Sequence, residues 1–228
     1  MENPLILLLR LEGPLQSWGE RARWDYRDTM TMPTKSGVIG ILACAIGIPR
    51  KDSLLCKMDE KLRMGVRMDR SGLIMTDYQT ISGNIRTADG GQRGKKNEDS
   101  TLQSWRQYLQ DASFLVALNG ENELLQRCAD AVKKPVWPVF LGRKSCVPTR
   151  PVFERLTNDY SSLEDALRNY PISDIGDTDR ELLCEIEDSY DGQYQRRDKM
   201  MGTPINAFGD RHIKIISVSP VLRKEAKT

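Results

Sequence analysis

Two apolar runs in the first fifty residues constrain this chain most tightly. Residues 5–11, Leu-Ile-Leu-Leu-Leu-Arg-Leu, form a short apolar run closed by Gly13-Pro14 and predict a buried strand. Ser36 is placed to cap a helix over residues 37–47, where Val38, Ile39, Ile41, Leu42, Ala45 and Ile46 make a nearly continuous apolar surface and Gly47-Ile-Pro49 ends it. A helix this apolar has to pack on a sheet. The segment between the runs, Gln16-Ser-Trp-Gly-Glu-Arg-Ala-Arg-Trp-Asp-Tyr26, is polar and aromatic, and it leads into the helix through Pro33-Thr-Lys-Ser-Gly37. Strand, basic loop and helix N-terminus in one unit suit a phosphate backbone, because unpaired N–H groups and the positive end of a helix dipole attract anions.

The pattern further along extends this to an α+β fold. Alternation at Leu62, Met64, Val66 and Met68 predicts a half-buried strand, with residues 72–80 as its hairpin partner. The order β-α-β-β is the first half of a ferredoxin-like or RRM-like core. Residues 102–109 and 113–118 read as extended around Asp111, residues 121–133 as an amphipathic helix, and residues 161–168 as a short helix with Glu164 at capping-box spacing from Ser161. Residues 182–187, 193–197 and 213–218 suggest a small β appendage. The expected organisation is an RRM-like core over 1–150 and a C-terminal helix and appendage over 151–228.

One segment breaks the pattern. Residues 82–100 hold four glycines, four basic residues and Ile85 as the single aliphatic side chain, which cannot make a core. They predict a protruding basic arm carrying Arg86, Arg93, Lys95 and Lys96.

Charge and chemistry narrow the function classes. Residues 1–97 carry 16 Lys and Arg against 11 Asp and Glu, and the remainder 18 against 21, so the N-terminal part is the one that would face a polyanion. Five scattered cysteines without a C-x-x-C pair argue against a disulfide framework or a zinc site, and read as small apolar residues in a reduced compartment. The single histidine, His212, leaves little room for triads or HExxH metal chemistry, and it reads as a surface or strand-start residue. Acidic pairs such as Asp59-Glu60 read as solvated faces. No P-loop, G-x-S-x-G or G-x-G-x-x-G occurs, so neither a metal nor any other cofactor is expected. No apolar run reaches the roughly 18 residues of a membrane span, and the expected location is the cytoplasm.

The strongest grouping is basic and aromatic. Trp18, Arg21, Arg23, Trp24, Tyr26 and Arg27 crowd one loop, with Lys35 at the following helix start, and Arg196, Arg197, Lys199 and Arg211 form a second group. Arg pairs with phosphates and aromatic rings stack on splayed bases, which is how single-stranded RNA is read. The alternative for the two tryptophans is a hydrophobic plug over the sheet edge.

Several motifs in order resemble the CasD family, the Cas-five-type RAMP subunit of the type I-E CRISPR effector complex Cascade. They are Leu-Arg-Leu-Glu-Gly-Pro-Leu-Gln-Ser-Trp-Gly (9–19), Pro-Thr-Lys-Ser-Gly-Val-Ile-Gly (33–40), Asp-Tyr-Gln-Thr (77–80), Trp-Arg-Gln-Tyr-Leu-Gln-Asp-Ala-Ser-Phe (105–114) and Leu-Gly-Arg-Lys-Ser-Cys (141–146). The resemblance implies an RRM-like core, a thumb near residues 90–96, and a non-catalytic subunit that binds the 5′ handle of the CRISPR RNA. The implied partners are a CasC-type backbone subunit, a CasA-type large subunit that recognises the PAM, and target DNA reached indirectly through guide pairing.

Transferred to this sequence, the RNA-binding residues are Gln16, Ser17, Trp18, Arg27, Thr34, Lys35, Ser36, Gly37, Arg143, Lys144, Arg196 and Arg197, with Arg86, Arg93, Lys95 and Lys96 on the thumb. Removing Lys35, Arg143 or the arm cations is expected to weaken assembly more than folding. A branch of the wider family cuts CRISPR repeat RNA without metal through tyrosine, lysine and histidine. Family members often have His where this chain has Gln79, so that alternative rests on Tyr26 or Tyr78, a lysine and His212. A further alternative is a generic RRM-like interaction protein without guide RNA.

Overall fold

The computed structural model describes residues 3–21, 25–83, 85, 91, 100–172, 180–202 and 207–222. At its centre is the predicted first strand, β1 (Ile6–Glu12). It pairs antiparallel with β7 (Ser113–Gly120) on one side and β8 (Phe153–Thr157) on the other. Its side chains alternate between two packed faces. Leu7, Leu9 and Leu11 meet α1 (Lys35–Ile46), α2 (Leu54–Lys61) and α3 (Asn122–Lys133), whereas Ile6 and Leu8 meet α4 (Leu163–Asn169). Helices on both faces are why the strand is apolar without alternation.

Arg10 interrupts that run, yet it is fully buried. Its guanidinium pairs with Asp69, which also takes the buried Arg67, and Arg67 donates to the carbonyls of Leu167 and Tyr170 at 2.6 Å each. These contacts tie α4 to the sheet.

The main sheet is antiparallel, in the order β10-β11-β9-β4-β7-β1-β8, where β4 is Leu62–Arg70, β9 is Leu182–Glu187, β10 is Tyr194–Met200 and β11 is Phe208–Val218. The three C-terminal strands therefore extend the main sheet through the β4–β9 pairing and do not form a separate appendage.

A second sheet is built on β6 (Ser100–Gln110), which pairs with β5 (Leu73–Gly83) along its length and also takes β2 (Leu15–Gln16) and β3 (Tyr26–Arg27). Here the expectation that residues 72–80 fold back on β4 is corrected. Pairing runs on in register from Arg70↔Ser113 to Leu73↔Gln110, so β4–β5 and β6–β7 are the two arms of one long hairpin shared between the sheets. It bends where Gly72 has φ +68° and Asp111 φ +57°, and Arg70 Nε donates to the Asp111 carbonyl. A Cβ at Gly72 would come within 2.4 Å of the Gln110 carbonyl oxygen, so glycine is required at this bend. The arms end at Gly83 and Ser100, the edges expected for the basic arm; Arg86, Arg93, Lys95 and Lys96 lie outside the described residues.

Helix ends show smaller differences. The cap of α1 is Thr34, not Ser36: its Oγ1 accepts the Gly37 N–H at 3.2 Å from an extended backbone, and Gly47 closes the other end at φ +87°. In α4 the cap is Ser162, accepting from Asp165 N–H, while the Asp165 carboxylate accepts from Ser161 N–H and hydroxyl. Glu164 pairs instead with Arg168 and Lys214. Helix α2 was not anticipated, because its short sequence shows little beyond Leu55 and Met58 to mark a buried face. Among the described residues no helix is long and apolar enough to cross a membrane.

Candidate nucleic-acid interface

The two most distinctive sequence motifs meet each other inside the protein. Gln16 is fully buried: its Nε2 donates to the carbonyls of Leu11 and Ala112, and its Oε1 accepts the Trp18 indole N–H at 3.1 Å. The Trp18 ring lies on Gly37, where a Cβ would come within 3.0 Å of the ring and 2.9 Å of Thr34 Oγ1. Ser17 is buried and its hydroxyl donates to the Gln107 carbonyl. The motifs are thus halves of a latch that holds the start of α1 against the loop after β2. For Trp18 the plug alternative holds; Trp24 lies outside the described residues.

The N-terminus of α1 likewise has an anion from within. Asp198 Oδ2 accepts the Lys35 backbone N–H at 2.7 Å, and both oxygens of Asp198 take the Arg211 guanidinium at 2.8 Å. Burial alone would raise the Asp198 carboxyl, but Arg211 and the helix N–H hold it below its ordinary range. Lys35 is 3% exposed, its Nζ 3.1 Å from Glu187 and 3.9 Å from Asp59. Asp59 belongs to this buried cluster and not to a solvated face. Neither of its oxygens has a hydrogen-bond partner, and burial, opposed by Lys35 and reinforced by Glu187 and Asp198, pushes it up to about 6.

Arg196 is also buried, with Nε on Glu20 and Nη1 on Glu185. The side chains of Gln16, Ser17, Trp18, Thr34, Lys35 and Arg196, all expected among the RNA-binding residues, are each buried with their polar groups turned to protein partners. Arg211 of the second basic group is buried as well. Ser36 and Gly37 are half-buried, and Arg197 is exposed, its Nε donating to the Phe208 carbonyl.

Three further candidates, Arg27, Arg143 and Lys144, lie about the edge strand β3. The turn after Leu141 is closed by Leu141 N–H to the Cys146 carbonyl and Cys146 N–H to the Arg143 carbonyl. It is clamped to the first loop by Ser17 N–H donating to the Leu141 carbonyl at 3.0 Å. Gly142, at φ +90°, presses so close on the Ser17 carbonyl that a Cβ would lie 1.7 Å from its oxygen. That contact sets Arg143 with its guanidinium 4.6 Å above the Tyr108 ring and Nη2 donating to the Arg27 carbonyl, while Nη1 is buried without a hydrogen-bond partner. Lys144 beside it is exposed. Arg27, Arg143 and Lys144 thus converge from positions far apart in sequence. Arg106, opposite Arg27 in the register, was not foreseen, although its place in an alternating aromatic and basic run marked it.

The chemistry this surface offers is cationic and aromatic. Burial pushes Cys128 up to about 11 and Cys184 to about 12, leaving those thiols inert. Among the described residues no group of three or more His, Cys, Asp and Glu is placed to hold a metal. His212 stands on β11 opposite Gln195, in the main sheet, whereas Tyr26 and Tyr78 belong to the second.

A mixed α+β chain with two antiparallel-rich sheets sharing one hairpin, and a basic edge beside it, is the class these features define. The chain belongs to the family described as CRISPR-associated protein (Cas_Cas5), whose profile matches residues 6–218. It is 35% identical over 223 residues to the CRISPR system Cascade subunit CasD of Escherichia coli (strain K12), covering 92% of this chain and 95% of that protein. Two solved structures are similar. One, "Crystal structure of Cas protein", has a TM-score of 0.71 at 36% identity, covering 94% of this chain and 95% of the other. The second, "CRISPR RNA-guided surveillance complex", has a TM-score of 0.72 at 30% identity, with 94% and 90% covered.

Proposed function

We propose that this chain is a non-catalytic subunit of a Cascade-type complex, holding the 5′ handle of the CRISPR RNA at one end of the assembly in antiviral defence. The observation that carries the reading is the turn locked on Ser17. It delivers Arg143 and Lys144 to the β3 edge beside Arg27, with one Arg143 nitrogen left without a protein partner. The handle contacts are Arg27, Arg143 and Lys144, with Arg197 and the half-buried Ser36 and Gly37 at the margins. The buried motif residues fix the shape that presents them.

The ferredoxin-like reading is supported by the order β4-β7-β1-β8 with α1 and α3 as the two crossovers, a β-α-β-β-α-β path in which β5 and β6 are an insertion. That insertion, a hairpin leaving the core between its second and third strands, supports a thumb that reaches the guide beside a CasC-type backbone subunit. A CasA-type subunit and guide-paired target DNA complete the assembly, in the cytoplasm. His212 in a different sheet from Tyr26 and Tyr78 supports a role without RNA cutting.

The test is to bind end-labelled handle RNA and repeat RNA to the assembled complex and follow retention and new RNA ends together. Retention of the handle without cleavage, weakened by Arg143→Ala with Lys144→Ala, is the expected result. Metal-independent cutting within the repeat that vanishes in His212→Ala would overturn it.

A further inference from the structure

Both ends of the main sheet are guarded against pairing with another chain. β10, at one end, carries Arg196, Arg197 and Lys199, and its ladder shifts register between Arg196 and Lys199. β8, at the other, carries Glu154 and Arg155 and shifts register opposite Leu8 and Leu9. Charges and bulges of this kind blunt an edge. β5, at the edge of the second sheet, has neither defence. Its 11 residues include no Lys, Arg or Pro, and none of them is buried. Its pairing with β6 runs without a shift from Leu73↔Gln110 to Gly83↔Ser100. Among the described residues β5 pairs with β6 alone, so between Leu73 and Ser82 every second residue turns its N–H and carbonyl away from the sheet. A row of alternating donors and acceptors is answered by another extended polypeptide.

We propose that this edge pairs with a second copy of the chain, the two β5 strands lying antiparallel about a two-fold axis at Tyr78. Opposite residues in an antiparallel pair either both turn their N–H and carbonyl towards the partner strand or both turn them away, and the two kinds alternate. Two copies of one strand therefore pair only with the axis on a residue and not between residues. An axis at Asp77 would set the only charge on the strand against its own copy. Moving it to Gln79 or beyond shortens the overlap. With the axis at Tyr78 the whole strand pairs, and Asp77 meets Gln79, Thr76 meets Thr80 and Met75 meets Ile81, each twice. Gln79 suits that place, because its Nε2 already donates to Asp77 Oδ2 at 2.6 Å and keeps a second N–H for the Asp77 of the other copy. Tyr78 is 51% exposed, with its ring 5.2 Å from that of Trp105, and at the axis it would meet itself, an aromatic cross-strand pair. The rest of each molecule stands clear. Leu73 follows the bend at Gly72 and Gly83 is the far end, so antiparallel pairing puts the two main sheets at opposite ends of the joined strands, roughly 37 Å apart.

The pairing uses none of Arg27, Arg143 and Lys144, so it stands or falls apart from the handle reading. The full chain, without RNA or other subunits, is followed by sedimentation equilibrium over a wide range of concentration, and a dimer is expected. Mild oxidation should join Tyr78→Cys to its own copy, since opposite Cα atoms lie about 4.5–5.5 Å apart, within reach of a disulfide. Gln79→Cys, diagonal to its copy, should stay unjoined, and the unaltered chain is the control for the native cysteines. Of the successive residues Thr80 and Ile81, one turns its N–H outward. Proline at that one should weaken dimerisation roughly tenfold or more with thermal unfolding unchanged, while proline at the other lowers the unfolding temperature. A chain that sediments as a monomer throughout would overturn the proposal, and so would joining of Gln79→Cys in place of Tyr78→Cys. A dimer indifferent to both prolines would be held by another surface, which overturns it as well.

Discussion

The segment from β1 to α1 and the hairpin of β5 and β6 both contain aromatic and basic residues, but the fold uses them in opposite ways. In the first, Trp18, Lys35 and the cap Thr34 are buried and matched to Gln16, Gly37, Glu187 and Asp198. In the second, Tyr78 and Trp105 are held out on a sheet face by strands whose alternate residues face inward. The most distinctive motif of the chain is therefore a latch, and the surface it positions is chemically plainer. A motif that pairs a tryptophan with a glycine and a carboxylate with a helix N-terminus specifies geometry, which binding residues elsewhere then depend on.

The comparison breaks most directly at Trp18. Trp18→Ala should cost about 3–5 kcal/mol, because it empties a buried site and strands the Gln16 carbonyl oxygen; urea denaturation measures it, and a loss near zero would mean the latch carries no load. Lys35→Met should cost about 3 kcal/mol by leaving Asp59 and Glu187 without their buried cation. Thermal unfolding of that variant, run beside RNA binding, separates the two roles, since a phosphate-binding lysine would lose affinity with stability unchanged.

The pH profile sharpens the same point. Asp59 has a folded pKa raised to about 6 against an ordinary 3.8, so the native state binds the extra proton. This group therefore makes stability fall as pH rises from about 4 to about 6, by an amount on the order of 2–3 kcal/mol. Asp59→Asn should flatten that part of the stability curve; an unchanged slope would place Asp59 outside the coupled cluster of Lys35, Glu187, Asp198 and Arg211. The smallest effect on folding belongs to the edge at β3, where Arg143 is half-buried and Lys144 exposed. Arg143→Ala with Lys144→Ala should alter stability by less than about 1 kcal/mol, yet lower the salt slope of single-stranded RNA binding by about 0.7 for each phosphate no longer held.

Much of this was legible in the chain. The apolar run of β1 and the apolar α1 closed by Gly47 each report a local requirement of burial or capping. The pairing of β5 was not legible, since the alternation in residues 73–83 says that a strand has two unlike faces and not which neighbour it meets. Nor was the fate of Lys35 and Arg196. A cation beside a helix start reads the same whether its partner is a phosphate or a carboxylate more than 150 residues away.

The sequence by itself determined the longer apolar elements such as β1 and α1, because strand and helix preferences act over a few neighbouring residues. The tertiary structure alone decided which charges are neutralised inside and which rings remain outside. That choice depends on what distant strands bring to each side chain, as Gly142 against Ser17 and Tyr26 opposite Trp105 and Tyr78 show.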